Sequence, residues 1–268
     1  MLLSDDRGMN YHDMVVVKQL GGRIRVVDIY VYLSAEMISS TMRRTYISIA
    51  ASQNKSILEK LSGKEKEFAE HFREFARMAA LLRSKQFRRA TQIYDRLPKS
   101  LQKDKNVLIL RLLASQEVSD EEYVKAIDAF RRHHPNDPCV DIMSIDRNIL
   151  DEKYDDALDS VGRIDKSVGG DPYLDVLRAN LLFLKEDFPL AKKRAQRAIK
   201  AEPTLISAQW VLVNLSLIEG EFDETTRLLN VINEKFEVEF EDLTTVPEYS
   251  EYVRSPQHKK WLESRKEK

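Results

Sequence analysis

The sequence predicts a mainly α protein: an array of helix hairpins with a β-hairpin at its N-terminus. Three observations carry this. Glycine and proline number only 8 each in 268 residues, too few for a many-turned β protein. The runs EKYDDAL (152–158), EDFPLAK (186–192) and GEFDETT (220–226) share one pattern, an aromatic after a polar turn pair, and their aromatics Tyr154, Phe188 and Phe222 are spaced 34 apart. Before residue 34, in contrast, β-branched and aromatic runs flank a pair of glycines.

That N-terminal segment, 1–34, is the first element. YHDMVVVKQL and RIRVVDIYVYL surround Gly21-Gly22, which reads as two strands and a tight turn. Two strands alone are marginal in water, so the hairpin must pack on a helix, join another chain's sheet, or belong to a larger sheet. From Ser34 onward no strand is expected. A connecting helix is expected over 35–64, with Ser34 as N-cap and Met37, Met42, Tyr46 and Ile49 as its apolar stripe. Ser62 and Glu65 have capping-box spacing, so a new helix should begin there and carry Phe68, Phe72, Phe75 and Met78 on one face.

The repeat array is expected over 65–240. Phe87 leads Ala90 as Tyr154 leads Ala157 and Phe188 leads Ala191, and Phe87 lies 67 before Tyr154, close to two periods. The copy between them, EVSDEEYVKAIDAF, has a weaker turn, with Asp120 at the aromatic position. Prolines keep the same spacing: Pro135 and Pro203 end helices, and Pro138 and Pro172 open units, where a fixed proline φ suits a first turn. Each unit therefore reads as two antiparallel helices. Alanines at the crossing let the axes approach to about 8–10 Å. Each pair leaves an apolar face that only the next pair can cover. The end, 241–268, reads as capping helices: it carries Tyr249, Tyr252 and Trp261 with a charged end, and a short helix with Trp261 folded inward would supply the polar outer face a terminal repeat needs.

With these residues in place, the chain resembles the tetratricopeptide repeat family over roughly 65–240. The unit 172–205 matches best, through Ala179, Phe188, Ala191, Ala198 and Pro203. In 206–239 Gly220 and Phe222 match the turn while Thr225 and Ile232 replace the two alanines. Unit 138–171 keeps Ala157, unit 104–137 keeps Pro135, and unit 71–103 keeps Phe87, Ala90 and Tyr94. The resemblance implies a right-handed α-α superhelix whose concave surface is lined by first helices. Outward slots there include Phe72, Phe75, Leu108, Ile142 and Asp146. The resemblance further implies a partner-binding groove at Tyr173, Val176, Asn180, Phe183, Trp210, Asn214 and Leu217. Family members that grip a C-terminal carboxylate carry basic residues one turn from such asparagines; here Val176 and Trp210 stand there, so an apolar helix or extended segment is the expected cargo. Separately, VVKQLGGRIRVVDIYVYLSAEM resembles the last two strands of a SnoaL-like, cone-shaped α+β domain.

Composition narrows the rest. Lys plus Arg is 43 against 44 acids, so no global basic field argues for nucleic acid. The basic run Lys192, Lys193, Arg194, Arg197 and Lys200 reads as a solvated face. His133, His134 and Cys139 are close in sequence, but adjacent histidines on a helix point about 100° apart, so no metal or cofactor is expected. There is no catalytic motif, and a lone cysteine excludes an intrachain disulfide. The acidic start is not a signal peptide and no apolar run approaches the roughly 18 residues of a membrane span. A soluble, cytoplasmic, non-catalytic protein–protein interaction scaffold is expected, unless the chain is an excised fragment. Two alternatives stay open: the helical-repeat portion of a larger protein whose SnoaL-like domain binds a small ligand, and a homodimer formed through the β-hairpin.

Overall fold

A computed structural model describes residues 2–5, 8–240 and 242–266. Residues 1, 6, 7, 241, 267 and 268, which belong to the expected N-terminal segment and C-terminal cap, lie outside the described residues. The chain is mainly helical with an N-terminal antiparallel sheet, and it divides into two compact units, Met1–Arg147 and Asn148–Lys268. No described helix is long and apolar enough to cross a membrane.

Unit 1 opens with β1 (Leu2–Asp5), β2 (Gly8–Lys18) and β3 (Ile24–Val31), joined by β4 (Glu36–Met37) in the order β1-β2-β3-β4. The expected hairpin is β2–β3. Its turn needs two residues at positive φ, and Gly21 (φ 94°) and Gly22 (φ 83°) supply them. Paired residues share a face of the ribbon. Met14 faces Ile29, Val16 faces Val26, and Lys18 faces Ile24; a bulge between Val15 and Val16 resets the register. The opposite face holds Val15 with Asp28 and Val17 with Arg25. Helix α1 (Ile38–Gln53) meets this second face, where the Ser39 N–H and hydroxyl both donate to the Asp28 carboxylate.

Here the chain departs from expectation. Ser34 does not cap a helix. Tyr32–Ser34 is a 3-10 turn, Ala35 takes φ 53°, and Glu36–Met37 adds a short strand before α1 begins at Ile38. The reason is Glu36: its buried carboxylate accepts from Arg44 Nη1 at 2.7 Å and from Thr41, which fixes the backbone ahead of the helix. The stripe read from α1 is also turned outward, with Met42 68% and Tyr46 75% exposed, while Ser48 and Ala51 face inward. After α2 (Lys55–Lys60) come α3 (Gly63–Glu70) and α4 (Phe72–Arg83), separated at His71. Ser62 makes no side-chain cap bond, and Glu65 pairs with Arg43 at 3.0 Å instead of reaching back.

The hairpin units are then α4 with α5 (Phe87–Arg96), and α6 (Lys105–Gln116) with α7 (Asp120–His133). Helix α8 (Val140–Leu150) crosses the division between the units, and Pro138 lies just ahead of it, not within its first turn. Phe75, Met78, Leu108, Ile127 and Phe130 centre the core of unit 1. One carboxylate ties sheet to helices: Asp137 accepts from Tyr30 Oη at 2.6 Å, Lys105 Nζ at 2.8 Å and the Cys139 N–H at 3.1 Å. Burial works against the Asp137 charge, but the bonds from Cys139, Lys105 and Tyr30 outweigh it and hold its pKa below the usual range. The buried Cys139 thiol is pushed up by burial first and by Asp137 second.

Unit 2 continues with α9 (Tyr154–Val168), α10 (Pro172–Leu184), α11 (Phe188–Ala201), α12 (Ile206–Ile218) and α13 (Phe222–Phe236), closed by α14 (Ser250–Arg254) and α15 (Pro256–Lys266). Asp171 caps α10 by accepting the Tyr173 N–H at 2.7 Å, and Pro172 is its first residue. From α9 to α13 each helix packs on the next, α13 packs on α15, and α10 also touches α12, as α4 touches α6 in unit 1. That is a helical-repeat pattern. Ala179, Ala191, Ala195 and Ala198 are fully buried at the crossings. Where Thr225 replaces an alanine, its hydroxyl is satisfied by buried Ser216 at 2.8 Å.

The turns inside the pairs share one geometry. Lys85, Glu152, Glu186 and Gly220 all take positive φ, each two residues before the second helix. The next N–H then bonds a carbonyl five residues back: Gln86 to Leu81, Lys153 to Asn148, Asp187 to Leu182 and Glu221 to Ser216, each at 2.8 Å. These are Schellman turns, which satisfy the last carbonyls of the first helix. The α6–α7 turn lacks them. Ser119 is extended there and caps α7 by accepting the Glu122 N–H at 3.3 Å.

The turn geometry sets opposite signs for two substitutions. A Cβ on Gly220 meets nothing within 4 Å, so its cost is conformational. Gly220→Ala is expected to destabilise unit 2 by about 1 kcal/mol, and Glu186→Gly to stabilise it by about 0.5–1 kcal/mol. Urea unfolding of the full chain measures both; equal or reversed signs would remove the role given to the positive-φ residue.

Candidate functional site

The first helices of unit 2, α10 and α12, carry all seven groove residues expected from the sequence. The structure separates them. Val176 lies in the core, 2% exposed, and Tyr173 is half-buried at the start of α10. Asn180 is exposed on α10 and Asn214 on α12. Phe183 is half-buried, with its ring centroid 5.7 Å from that of Phe188. Trp210 is half-buried against Phe240, at 6.0 Å, and Phe240 in turn meets Trp261 at 5.7 Å. The segment after α13 therefore covers Trp210.

Three of the seven come together. Phe183, Asn214 and Leu217 line a cavity of about 530 Å³ with Ile218, Phe222 and Tyr252. Tyr173, Val176, Asn180 and Trp210 are not part of its wall. Glu248 and Glu251 from the C-terminal segment stand at the same cavity. Periodicity could not place this last wall, because it comes from residues beyond the final repeat. The spacing of Glu248 and Glu251 beside two tyrosines was the available signal. Tyr252 is held by Thr226, 2.9 Å from its hydroxyl, and burial raises its phenol pKa despite that bond. Trp261 is 3% exposed, donates to Asn230 at 2.8 Å and lies under Arg265 at 4.7 Å, so the cap behind the cavity is tightly anchored.

Of the outward slots expected in unit 1, Phe75 and Leu108 belong to the core, and Asp146 accepts from the Tyr123 hydroxyl at 2.6 Å.

The basic run on α11 is mostly engaged in ion pairs. Lys192 reaches Glu219 at 3.0 Å and Glu221 at 3.1 Å. Arg194 and Arg197 both meet the Asp175 carboxylate, at 3.2 and 3.0 Å. Asp175 is buried on α10 and also meets Arg178, which reaches Asp165 on α9 at 2.8 Å. The run thus joins α9, α10 and α11 through one buried acid, and of its five cations Lys193 and Lys200 stand free of these pairs. Among the described residues no group of three or more His, Cys, Asp or Glu could hold a metal ion. His134 is occupied by the Lys103 carbonyl at 2.9 Å.

Comparison of the chain with protein-family models, with curated proteins and with solved structures returned no match.

Proposed function

We propose that this chain is a non-catalytic interaction scaffold of the tetratricopeptide-like kind, and that unit 2 binds an apolar helix or extended segment of another protein. The observation that supports this most is the cavity between α10, α12, α13 and the C-terminal segment. Its floor is Phe183, Leu217, Phe222 and Tyr252, and Ile218 at its side is 55% exposed. The exposed Asn180 and Asn214 side chains make no hydrogen bond to protein among the described residues and can pair with a cargo backbone. Glu248 and Glu251 favour a segment that carries Lys or Arg beside its apolar residues. The sole cysteine, Cys139, is buried, which suits a reducing, cytoplasmic setting.

Selection from a random peptide library on the full chain tests this. The expected winners pair two or more large apolar residues at helical or alternate spacing with a flanking cation. Leu217→Glu, with its circular dichroism unchanged, is expected to weaken them at least tenfold. Winners that are acidic, or that bind Leu217→Glu equally well, would overturn the reading.

A second reading, self-association through the hairpin, is favoured by one observation. The ribbon face of Met14, Val16, Ile24 and Val26, with Lys18 at its end, is largely apolar and open, with Val16 55% and Ile24 70% exposed, while α1 meets the other face at Asp28. Sedimentation equilibrium is expected to show the wild-type mass doubling with concentration and Val16→Lys/Val26→Lys staying a monomer. A wild-type monomer at the highest concentration removes this reading.

A further inference from the structure

The even charge balance of the whole chain conceals an asymmetry. Unit 1 carries 25 Lys and Arg against 20 acids, and unit 2 carries 18 against 24. Within unit 1 the excess is concentrated: residues 73–103 hold nine Lys and Arg and only two acids, Glu74 and Asp95. Three of the nine lie on α4; the other six run from the α4–α5 turn along α5 and into the segment after it.

Those six form one exposed strip. Helix α5 turns Ala90 and Tyr94 to the core. At about 100° per residue, Arg88, Arg89, Gln92 and Arg96 fall within about 100° of arc on the opposite side, and all four are exposed. Arg88 and Arg96 are separated by about 12 Å along the helix axis. Lys85 precedes them at the turn. Lys99 and Lys103 follow on a segment folded back on α5: Tyr94 Oη donates to the Gln102 carbonyl, and Gln102 Nε2 to the Leu97 carbonyl, each at 2.9 Å. The Lys103 carbonyl then meets His134 Nε2 at 2.9 Å, which brings in exposed Arg131 and Arg132 from the last turn of α7. Desolvation first, then Lys103 and Arg132, holds the His133 pKa below its usual value, so these charges share one field.

None of these eight cations has an acid within ion-pair distance among the described residues. The neighbouring acids are engaged elsewhere or stand at the margin. Asp104 caps α6 by accepting the Asn106 N–H at 3.0 Å, Glu67 accepts from Ser100, and Asp95 lies at the edge of the exposed arc of α5. The basic run on α11 is the contrast, because Glu219, Glu221 and Asp175 take up three of its five cations. Unpaired like charges on one surface repel one another, and a polyanion laid over them removes that cost.

The kind of polyanion follows from what the strip lacks. No large apolar side chain between residues 50 and 149 is exposed. A protein partner or a bilayer would have no apolar anchor there, and exposed ion pairs alone are weak. A nucleic-acid backbone needs no such anchor, because each phosphate neutralised releases a counterion and the Arg fork matches the phosphate oxygens. With no exposed aromatic to stack on a base, a single strand gains less than a duplex.

We infer that the α5 strip of unit 1 binds the phosphate backbone of a nucleic-acid duplex without reading its sequence. This is independent of the peptide reading for unit 2.

Fluorescence anisotropy of the full chain with labelled DNA duplexes of about 20 base pairs tests it. At about 50 mM NaCl, saturable binding is expected, equal within about twofold for two unrelated sequences and at least fivefold weaker for a single strand. The logarithm of the association constant should fall against the logarithm of salt with a slope of about −2.7 or steeper, the value for three neutralised phosphates. Arg88→Glu/Arg96→Glu, both at exposed positions, should lose at least tenfold with circular dichroism unchanged. Lys193→Glu/Lys200→Glu on α11 should bind as the wild type does. The inference is overturned by no binding at that salt, by a flatter slope, by a single strand bound as tightly, or by an equal loss in the α11 variant. Tighter binding to polyglutamate or to phosphatidylserine vesicles than to the duplex overturns it as well, and would assign the strip to an acidic protein or a membrane.

Discussion

The repeat pairs depend on how sharply the chain can reverse between two helices. An α-helix ends with carbonyls that no N–H of its own can reach, and a short reversal leaves few residues to satisfy them. One residue at positive φ solves this by aiming the following N–H back at the waiting carbonyl. Lys85, Glu152, Glu186 and Gly220 each do so, although only the last is a glycine. For the other three the backbone cost is on the order of 1 kcal/mol, and the packing of the second helix offsets it. Five residues beyond each of them sits Ala90, Ala157, Ala191 or Thr225, all 0% exposed at a helix crossing. A longer turn would move these small residues off the crossing and force larger side chains into it.

The same turns decide what each pair presents. By starting the second helix two residues after the reversal, they set Phe188 and Phe222 beside the ends of the first helices, where Phe183 and Leu217 lie. An apolar wall near each turn is thus a by-product of closing the pair. In unit 2 the C-terminal segment makes that wall a cavity by bringing in Tyr252 and two acids. In unit 1 the first helices α4 and α6 meet α1 instead, and the result is a groove with Ser48 and Arg83 in its wall. Asp137 is the counterpart for the sheet: its bonds to Tyr30, Lys105 and Cys139 tie β3 to α6 and to the start of α8, beside the tie of Asp28 to Ser39 on α1.

Much of this was legible in the sequence, and the limits have physical causes. The period, the buried alanines, the glycine turn of the hairpin and the Asp171-Pro172 cap all rest on local chemistry that one residue type satisfies best. The weaker α6–α7 turn was visible too, because Asp120 follows a serine that can cap but offers no aromatic. Elements governed by long-range partners were not legible. Ser34 looked like a cap because the pairing of Glu36 with Arg44, eight residues on, has no signature in the residues around Ser34. Glu65 looked like half of a capping box until Arg43 is seen beside it. Trp210 read as a groove residue because Phe240, which covers it, lies in an irregular segment with no period to read. The outward stripe of α1 shows that periodicity finds a face but not what the face meets.

Native-state hydrogen exchange at the turn amides tests the central claim most directly. If the Schellman reversals hold the pairs together, the N–H groups of Gln86, Lys153, Asp187 and Glu221 will exchange at least tenfold more slowly than that of Ser119, whose bond to Ser115 is 3.3 Å long and which lacks the reversal. If those four exchange as fast as an unstructured peptide, or Ser119 proves the slowest, the pairs are held by packing alone and the account of the turns fails.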